Sequence, residues 1–177
     1  SGGLDSSVVA FLASKCGVKV NLLHVSLENQ KETEEAIEAS EALNLPLQVD
    51  LFKDSDVEKT LPKVVELIEE ADPIKASIGV PFYWAAEKAA EAGFKVMLAG
   101  QGADELFGGY QRYVNECCKD GSEKVRQTMF HDVVNIHESN LERDLKITGF
   151  QDVELRLPFG SFAVAEFALS LPIECKI

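Results

Sequence analysis

The first stretch whose residue types could do chemistry is SGGLDSS, which spans residues 1–7. Gly2 and Gly3 lack a Cβ atom, so backbone N–H groups there can approach an anion closely. A helix predicted directly after the stretch would add the positive end of its dipole. Three serine hydroxyls, those of Ser1, Ser6 and Ser7, supply further donors. The spacing therefore predicts a cradle for a phosphate group.

Asp5 lies within this cradle, where its carboxylate would repel a phosphate. A Mg²⁺ ion between the two groups would remove the conflict, because carboxylate and phosphate oxygens are its usual ligands. The stretch is not a Walker A loop, since no Gly-Lys-Ser/Thr follows and no lysine is placed to reach a terminal phosphate. A glycine- and serine-rich helix entry without a ligand is the alternative interpretation.

A second stretch, LAGQGADELFGGY at residues 98–110, places Asp104 and Glu105 between glycines. In parallel α/β sheets, ligands bind beyond the carboxyl ends of the strands, and both stretches are predicted to lie there. Asp104 would then be a second carboxylate for the same Mg²⁺, and Gly100 and Gly102 would leave room for a nucleotide. The alternative is that the two acids serve helix capping.

Alternating strands and helices are predicted around these stretches, which indicates an α/β fold with a parallel twisted sheet and helices on both faces. Pro62 predicts a kink or a late start in one helix, while Pro81 and Gly93 predict the two ends of another. Apolar periodicity in residues 5–17 predicts a helix with Ser or Asp as its N-cap and with Gly17 directly after its end. The same periodicity predicts helices at 31–44, 54–72 and 81–93. Short apolar runs predict strands at 18–27, 46–52 and 94–100.

The last third of the chain has a different pattern. Residues from about 116 to 145 are polar, compatible with helix and free of proline, and VELRLPF then breaks at Pro158. SFAVAEFALSLP predicts one more buried helix. We therefore predict a nucleotide-binding core at 1–114, whose first strand would precede residue 1, and a C-terminal helical extension at 115–177.

Composition limits the classes of function. A formal net charge of −13 argues against a nucleic-acid-binding surface. The four cysteines include no C-x-x-C pair and are expected to be ordinary thiols. Without a signal peptide or an apolar run of about 18 residues, the chain is expected to be cytoplasmic, with no membrane contact.

The two stretches resemble those of a known family. SGGLDSS resembles the pyrophosphate loop of the ATP pyrophosphatases, whose fold is adenine nucleotide alpha hydrolase-like. LAGQGADELFGGYQRY is similar to the second signature of the asparagine synthetase C-terminal domain and its β-lactam synthetase relatives. NLERD at 140–144, followed by VELRLPF at 153–159, is similar to that family's later block. The resemblance covers nearly the whole chain.

The resemblance implies an ATP-dependent ligase. A substrate carboxylate, from aspartate or a similar acid, would attack the α-phosphate, and pyrophosphate would leave from the SGGLDSS cradle. Ammonia or an amine would then displace AMP. By position in the family pattern, Asp5 and Asp104 would hold Mg²⁺, Val25 would meet the adenosine, and Ala99 and Gly100 would flank the nucleotide.

Two departures from the family pattern concern the acceptor. Asparagine synthetases carry Glu where this chain has Gln101, and an amide cannot act as a base. The family's Thr-Thr-x-Arg aligns with residues 74–77, so the arginine that would clamp a carboxylate has become Ser77. Lys75 is a candidate substitute, and an ordinary surface lysine is the alternative. An enzyme with another carboxylate substrate, or a non-catalytic ATP-binding module, would also fit.

Further parts of the family pattern lie outside these 177 residues. These parts are the downstream catalytic lysine and the N-terminal glutaminase domain. A glutaminase domain or subunit is therefore an expected partner. An oligomer is compatible with the sequence. Among the histidines, His24 is predicted to be a core residue on a buried strand. His131 and His137 form no metal-ligand pattern with the cysteines.

Overall fold

The computed structural model describes residues 2–177, which form two compact units. The first unit contains the described residues up to Ala99 together with Glu142–Arg156. The second contains Gly100–Leu141 together with Leu157–Ile177. These units are defined by packing, and the predicted boundary between a nucleotide-binding core and a helical extension stays a prediction.

Helices dominate the described chain. The α-helices are α1 (Leu4–Lys15), α2 (Glu32–Leu43), α3 (Asp54–Ile68), α4 (Pro73–Glu91), α5 (Ala103–Phe107), α6 (Gln111–Asp120), α7 (Ser122–Ile136), α8 (Glu142–Phe150) and α9 (Phe162–Ser170). A π-helical turn at His137–Leu141 precedes α8, and 3₁₀ turns lie at Pro158–Gly160 and Ile173–Cys175. The strands are β1 (Leu22–Leu27), β2 (Leu47–Phe52), β3 (Val96–Leu98) and β4 (Glu154–Arg156).

The described strands form two parallel pairs. β1 pairs with β2, with Leu22 opposite Leu47, and β3 pairs with β4, with Val96 opposite Glu154. Parallel pairing between strands separated by helices confirms the predicted α/β class. β4 was not predicted, because its three residues are too short to show a strand pattern. A single twisted sheet with helices on both faces stays a prediction.

The apolar core of the first unit lies where α3, α4 and α8 pack together. It contains Val64, Val80 and Ile147, each at most 3% exposed. Trp84 of α4 stacks on Phe52 with ring centroids 4.1 Å apart, and its Nε1 donates a 2.9 Å hydrogen bond to Thr60 Oγ1. The buried indole is thus both packed and hydrogen-bonded, as such a group requires.

Two proline positions correct the predicted helix boundaries. α4 begins at Pro73, eight residues before Pro81, because the Asp72 side chain caps it by accepting bonds from the amides of Ile74 and Lys75. Of the two alternatives predicted for Pro62, the late start is wrong, since α3 runs through that residue from Asp54, and the kink stays a prediction. Both prolines lie in helices that pack against each other in the core. Tertiary packing therefore outweighs the lost backbone hydrogen bonds.

Helix ends elsewhere follow the sequence in part. Gly17 and Gly93 take the positive φ expected after α1 and α4, at +72° and +82°. The predicted Ser or Asp N-cap of α1 is wrong, because Gly3 occupies that position.

The second unit has its own smaller core. Tyr113, Val125 and Met129 are buried there between α6 and α7, with Ile173 packed on them. The predicted buried helix is present as α9 but is largely exposed, with only Ala168 buried among its residues. Phe162 is 82% exposed and Phe167 is 59% exposed.

Candidate active site

The described part of the SGGLDSS stretch, Gly2 to Ser7, leads into the N-terminus of α1; Ser1 lies outside the described residues. The Ser7 amide donates to the Gly3 carbonyl at 3.1 Å and so closes the first helical turn. No side chain in residues 2–177 caps this helix end, and Asp5 lies in its first turn. Ser6 Oγ donates to the Gly3 carbonyl at 3.1 Å, so the single proton of that hydroxyl is engaged within the loop.

Gly2 has a packing reason to be glycine. A Cβ atom there would lie 2.5 Å from the Glu35 carbonyl oxygen and 2.7 Å from the Ala36 amide nitrogen, both in α2. The loop therefore passes directly over the α2 backbone. This contact positions the loop whether or not an anion binds.

The second stretch turns sharply between β3 and α5. Gly102 takes a φ of +94° and is the N-cap of α5, with no side-chain cap within the described chain. The carboxylate of Asp104 lies against Gly109, where a Cβ atom would overlap it and would stand 2.9 Å from its Cγ. The amides of Gly108 and Gly109 both donate to the Asp104 carbonyl, at 2.9 and 3.1 Å. The glycine pair after the acids therefore makes room for the Asp104 carboxylate.

Glu105 points into the second unit and is only 5% exposed. Its Oε1 accepts hydrogen bonds from the Tyr110 hydroxyl at 2.8 Å and from Asn140 Nδ2 at 3.1 Å. Burial, and then the bond to Glu105, raises the pKa of Tyr110 above its ordinary value. Glu105 lies in the first turn of α5 but makes no capping hydrogen bond. It joins the second stretch to the NLERD segment.

A second buried phenol lies on the next helix. The Tyr113 hydroxyl donates to Asp132 Oδ2 at 2.6 Å. Arg112 Nη2 donates to the same oxygen at 2.9 Å. Burial, and then the bond to Asp132, raises the pKa of Tyr113. This network ties α6 to α7, directly after the second stretch.

The predicted acceptor-binding residues lie on the first turns of α4. Lys75 Nζ forms a 2.6 Å ion pair with Glu70. Ser77 is exposed, and its hydroxyl donates to the Ile74 carbonyl at 2.8 Å. The position that aligns with the clamping arginine is therefore occupied by a short side chain bonded to its own helix.

Val25 and His24 lie next to each other on β1. Val25 is partly buried and packs against the α3–α4–α8 core. His24 is buried, as predicted, and its Nε2 lies 3.1 Å from Thr33 Oγ1. Burial lowers the pKa of His24, so this side chain is kept neutral.

The two units divide the predicted site residues between them. Asp5, Val25, Lys75 and Ala99 belong to the first unit, whereas Gly100, Gln101 and Asp104 belong to the second. The sharing of one metal ion by Asp5 and Asp104 therefore stays a prediction. Within residues 2–177, no three His, Cys, Asp or Glu side chains form a group arranged to bind a metal.

The four cysteines, all of which the structure describes, are free. None of the described helices has the length and apolarity needed to cross a membrane.

Comparison with known proteins shows the family to which the chain belongs. The model of the asparagine synthase family matches residues 1–120, more than half of the sequence. The chain belongs to the asparagine synthase family. The resemblance carried by the two glycine-rich stretches is thus confirmed, and with it membership of a family of ligases.

Relatives in this family match the chain along its full length. A Methanocaldococcus jannaschii protein, named provisionally as a glutamine-hydrolyzing asparagine synthetase, is 43% identical over 177 residues, which are 32% of its own length. Glutamine-hydrolyzing asparagine synthetases of Asparagus officinalis and Arabidopsis thaliana are each 27% identical over all of this chain, which covers 31% and 32% of them. The chain therefore spans about a third of the length of these curated relatives.

The sequence-based predictions missed two features of the chain. The first is the partner set of Glu105, because Asn140 lies 35 residues away in sequence. The second is Arg143, whose side chain is 3% exposed. The NLERD segment that contains Asn140 and Arg143 was recognised as a family block, and that was the available signal; neither residue was given a role.

Proposed function

We propose that this chain is the adenylating part of an ATP-dependent ligase that activates a carboxylate and then transfers ammonia or an amine to it. The observation that carries the proposal is the uncapped N-terminus of α1, which follows a glycine pair and has Asp5 in its first turn. Amides at such an end have no helical partners and favour an anion. Family membership gives that anion an identity, the phosphates of ATP.

The donor set fits Mg²⁺. Asp5 and Asp104 offer the hard carboxylate oxygens that this ion prefers, and the Asp104 carboxylate has a defined place against Gly109. Bound Mg²⁺ would neutralise charge that builds up on the phosphate oxygens. The chain's own contribution is to hold two carboxylates and the amides of the α1 end ready for the nucleotide.

The remaining nucleotide contacts follow the family pattern. Ser1, Ser6 and Ser7 would contact the pyrophosphate, Val25 the adenosine, and Ala99 and Gly100 the nucleotide beyond β3. These positions are compatible with a PP-loop fold in which the two parallel strand pairs belong to one twisted sheet. Parallel pairing in both is the support for that proposal.

The acceptor is a carboxylic acid, and two candidates remain. Aspartate is favoured by the names of the relatives, which are asparagine synthetases. A different carboxylate is favoured by Gln101 and by the short, locally bonded Ser77. Lys75 would contact the acceptor only as a point charge, without the paired donors of an arginine.

The nitrogen source is ammonia or an amine. The relatives are named glutamine-hydrolyzing, and we propose that a glutaminase domain or subunit supplies ammonia to this site as well.

Exchange of radiolabelled pyrophosphate into ATP tests the proposal on the full-length protein. A panel of acids should include aspartate, glutamate and carboxylates with altered side chains. We expect exchange that depends on one acid and on Mg²⁺. Binding of Mg-ATP without exchange for any acid would instead identify a non-catalytic module.

A further inference from the structure

Arg143 on α8 is buried with most of its hydrogen-bonding capacity unused. Its Nε donates a 2.7 Å bond to Asp144 Oδ1, and the two side chains are 3% and 0% exposed. Nη1 and Nη2 are also buried, and neither has an acceptor anywhere in residues 2–177. A buried donor without an acceptor destabilises the fold, and more so when it is charged. The arrangement therefore calls for an acceptor that the described chain does not supply.

The Arg143 side chain lies against the middle of α4. A Cβ atom at Gly79 would stand 3.7 Å from the Arg143 Cδ, an ordinary contact distance, whereas Val64 Cγ1 at 2.6 Å and Ile147 Cδ1 at 3.0 Å are the atoms that crowd this position. Further along the same two helices, the rings of Tyr83 and Phe150 stack with centroids 6.4 Å apart. The two contacts show that α4 and α8 run in the same direction.

The common direction of the helices indicates where the guanidinium points. Side chains on a helix lean towards its N-terminus. This lean favours a guanidinium on the N-terminal side of Gly79, where Lys75 lies one turn earlier on α4.

The chemistry of the unused donors selects the missing acceptor. The guanidinium is planar and presents its Nη donors as a fork that matches two oxygens of a carboxylate or a phosphate. Asp144 bonds to Nε and leaves this fork unused. The positive charge of Lys75 on the adjoining helix, although paired with Glu70, would also favour an oxyanion over a neutral acceptor.

We propose that the Nη groups of Arg143 bind an oxyanion of a substrate. The oxyanion comes from the acceptor carboxylate or from a phosphate of the nucleotide. The identity of these substrates rests on the proposed function. The existence of an oxyanion site at Arg143 rests on the geometry alone.

Titration calorimetry of the full-length protein tests this site without turnover. The probes are L-aspartate, L-glutamate and Mg-ATP, each added alone to wild type and to Arg143→Lys, which keeps the charge and removes the fork. We expect at least tenfold weaker binding of one class of probe, with the other class unchanged within twofold. Weaker binding of the amino acids would show that the oxyanion is the acceptor carboxylate, and weaker binding of Mg-ATP would show that it is a phosphate.

Arg126→Lys is the matched control, because Arg126 forms an exposed pair with Glu123 in α7. It should bind every probe as wild type does. If Arg143→Lys binds every probe within twofold of wild type, the proposal is overturned. A guanidinium that bonds only to water, or that has a purely structural role, predicts that result.

If Arg143→Lys fails to fold, a crystal structure of the wild-type protein soaked with the same probes tests whether an oxyanion binds at Arg143. An oxyanion oxygen within about 3.2 Å of Nη supports the proposal. Ordered water only, or a carboxylate of the protein itself, overturns it. Pyrophosphate exchange is measured separately, so a protein that binds an oxyanion at Arg143 without exchange would contradict the proposed function and leave this site standing.

Discussion

The Tyr110 hydroxyl donates a 2.8 Å hydrogen bond to Oε1 of Glu105, and both residues come from the same glycine-rich stretch. Asn140 donates to the same oxygen from the segment before α8. The two neighbouring acids of the stretch therefore have different surroundings. Glu105 is buried and organises the second unit, whereas Asp104 rests against Gly109 and remains the candidate metal ligand.

Replacement of Glu105 by Gln should lower stability. The neutral amide oxygen is a weaker acceptor than a carboxylate for the two donors Tyr110 and Asn140, so we expect a loss of about 1–3 kcal/mol in the free energy of unfolding. Urea denaturation measures it. Glu123→Gln, which removes an exposed ion pair, should cost much less, because water already screens that pair. Equal effects of the two substitutions would contradict the assigned role of Glu105.

Replacement of Gly109 by Ala should displace the Asp104 carboxylate. The added Cβ would overlap that carboxylate, while the backbone of Gly109 is outside the positive-φ region. If Asp104 holds Mg²⁺, pyrophosphate exchange should fall at least tenfold, because a displaced ligand no longer meets the ion.

Gly149→Ala is the control for this substitution. Gly149 lies in α8 with nothing within 4 Å of the new methyl group, so alanine should raise stability by up to about 1 kcal/mol and leave exchange unchanged. Full exchange activity in Gly109→Ala would remove Asp104 from the metal site.

Local patterns predicted more of the fold than of the site. β2 and α2 were predicted within one residue at each end, because their apolar spacing is regular and their neighbours break it. Pro81 misplaced the start of α4, since tertiary packing carries that helix through a residue with poor helix propensity. The contact between Glu105 and Asn140 and the burial of Arg143 depend on the packing of distant segments, which spacing in one sequence does not encode.

Replacement of Gly2 by Ala should damage the loop before α1. The methyl group would collide with backbone atoms of α2, which a side-chain rotation cannot relieve. We expect a loss of about 1–3 kcal/mol in stability and weaker binding of Mg-ATP as the loop moves away from α2. Thermal unfolding and calorimetry measure the two effects, and a variant that keeps both wild-type values would show that the loop does not pass over α2 so closely.

The raised pKa of Tyr113 predicts a decline in stability at alkaline pH. The phenol ionises at about pH 10 in the unfolded chain and at a higher pH in the folded one. Its contribution is therefore fully present below pH 10 and is lost as the pH rises further.

Comparison of wild type with Tyr113→Phe isolates this contribution, since the other tyrosines are common to both. Wild type should be more stable by about 1 kcal/mol at pH 8, and the difference should shrink between pH 10 and 11. Urea denaturation at each pH measures it. A difference that stays constant over this range would contradict a raised pKa in the folded state.

The products of ATP turnover test the central claim most directly. Full-length protein incubated with Mg²⁺, the acceptor acid, ammonia and α-labelled ATP should form labelled AMP, with pyrophosphate released in equal amount. Asp5→Asn should reduce both products together. Formation of ADP and inorganic phosphate instead, or no nucleotide cleavage with any acid of the panel, would contradict an adenylating ligase.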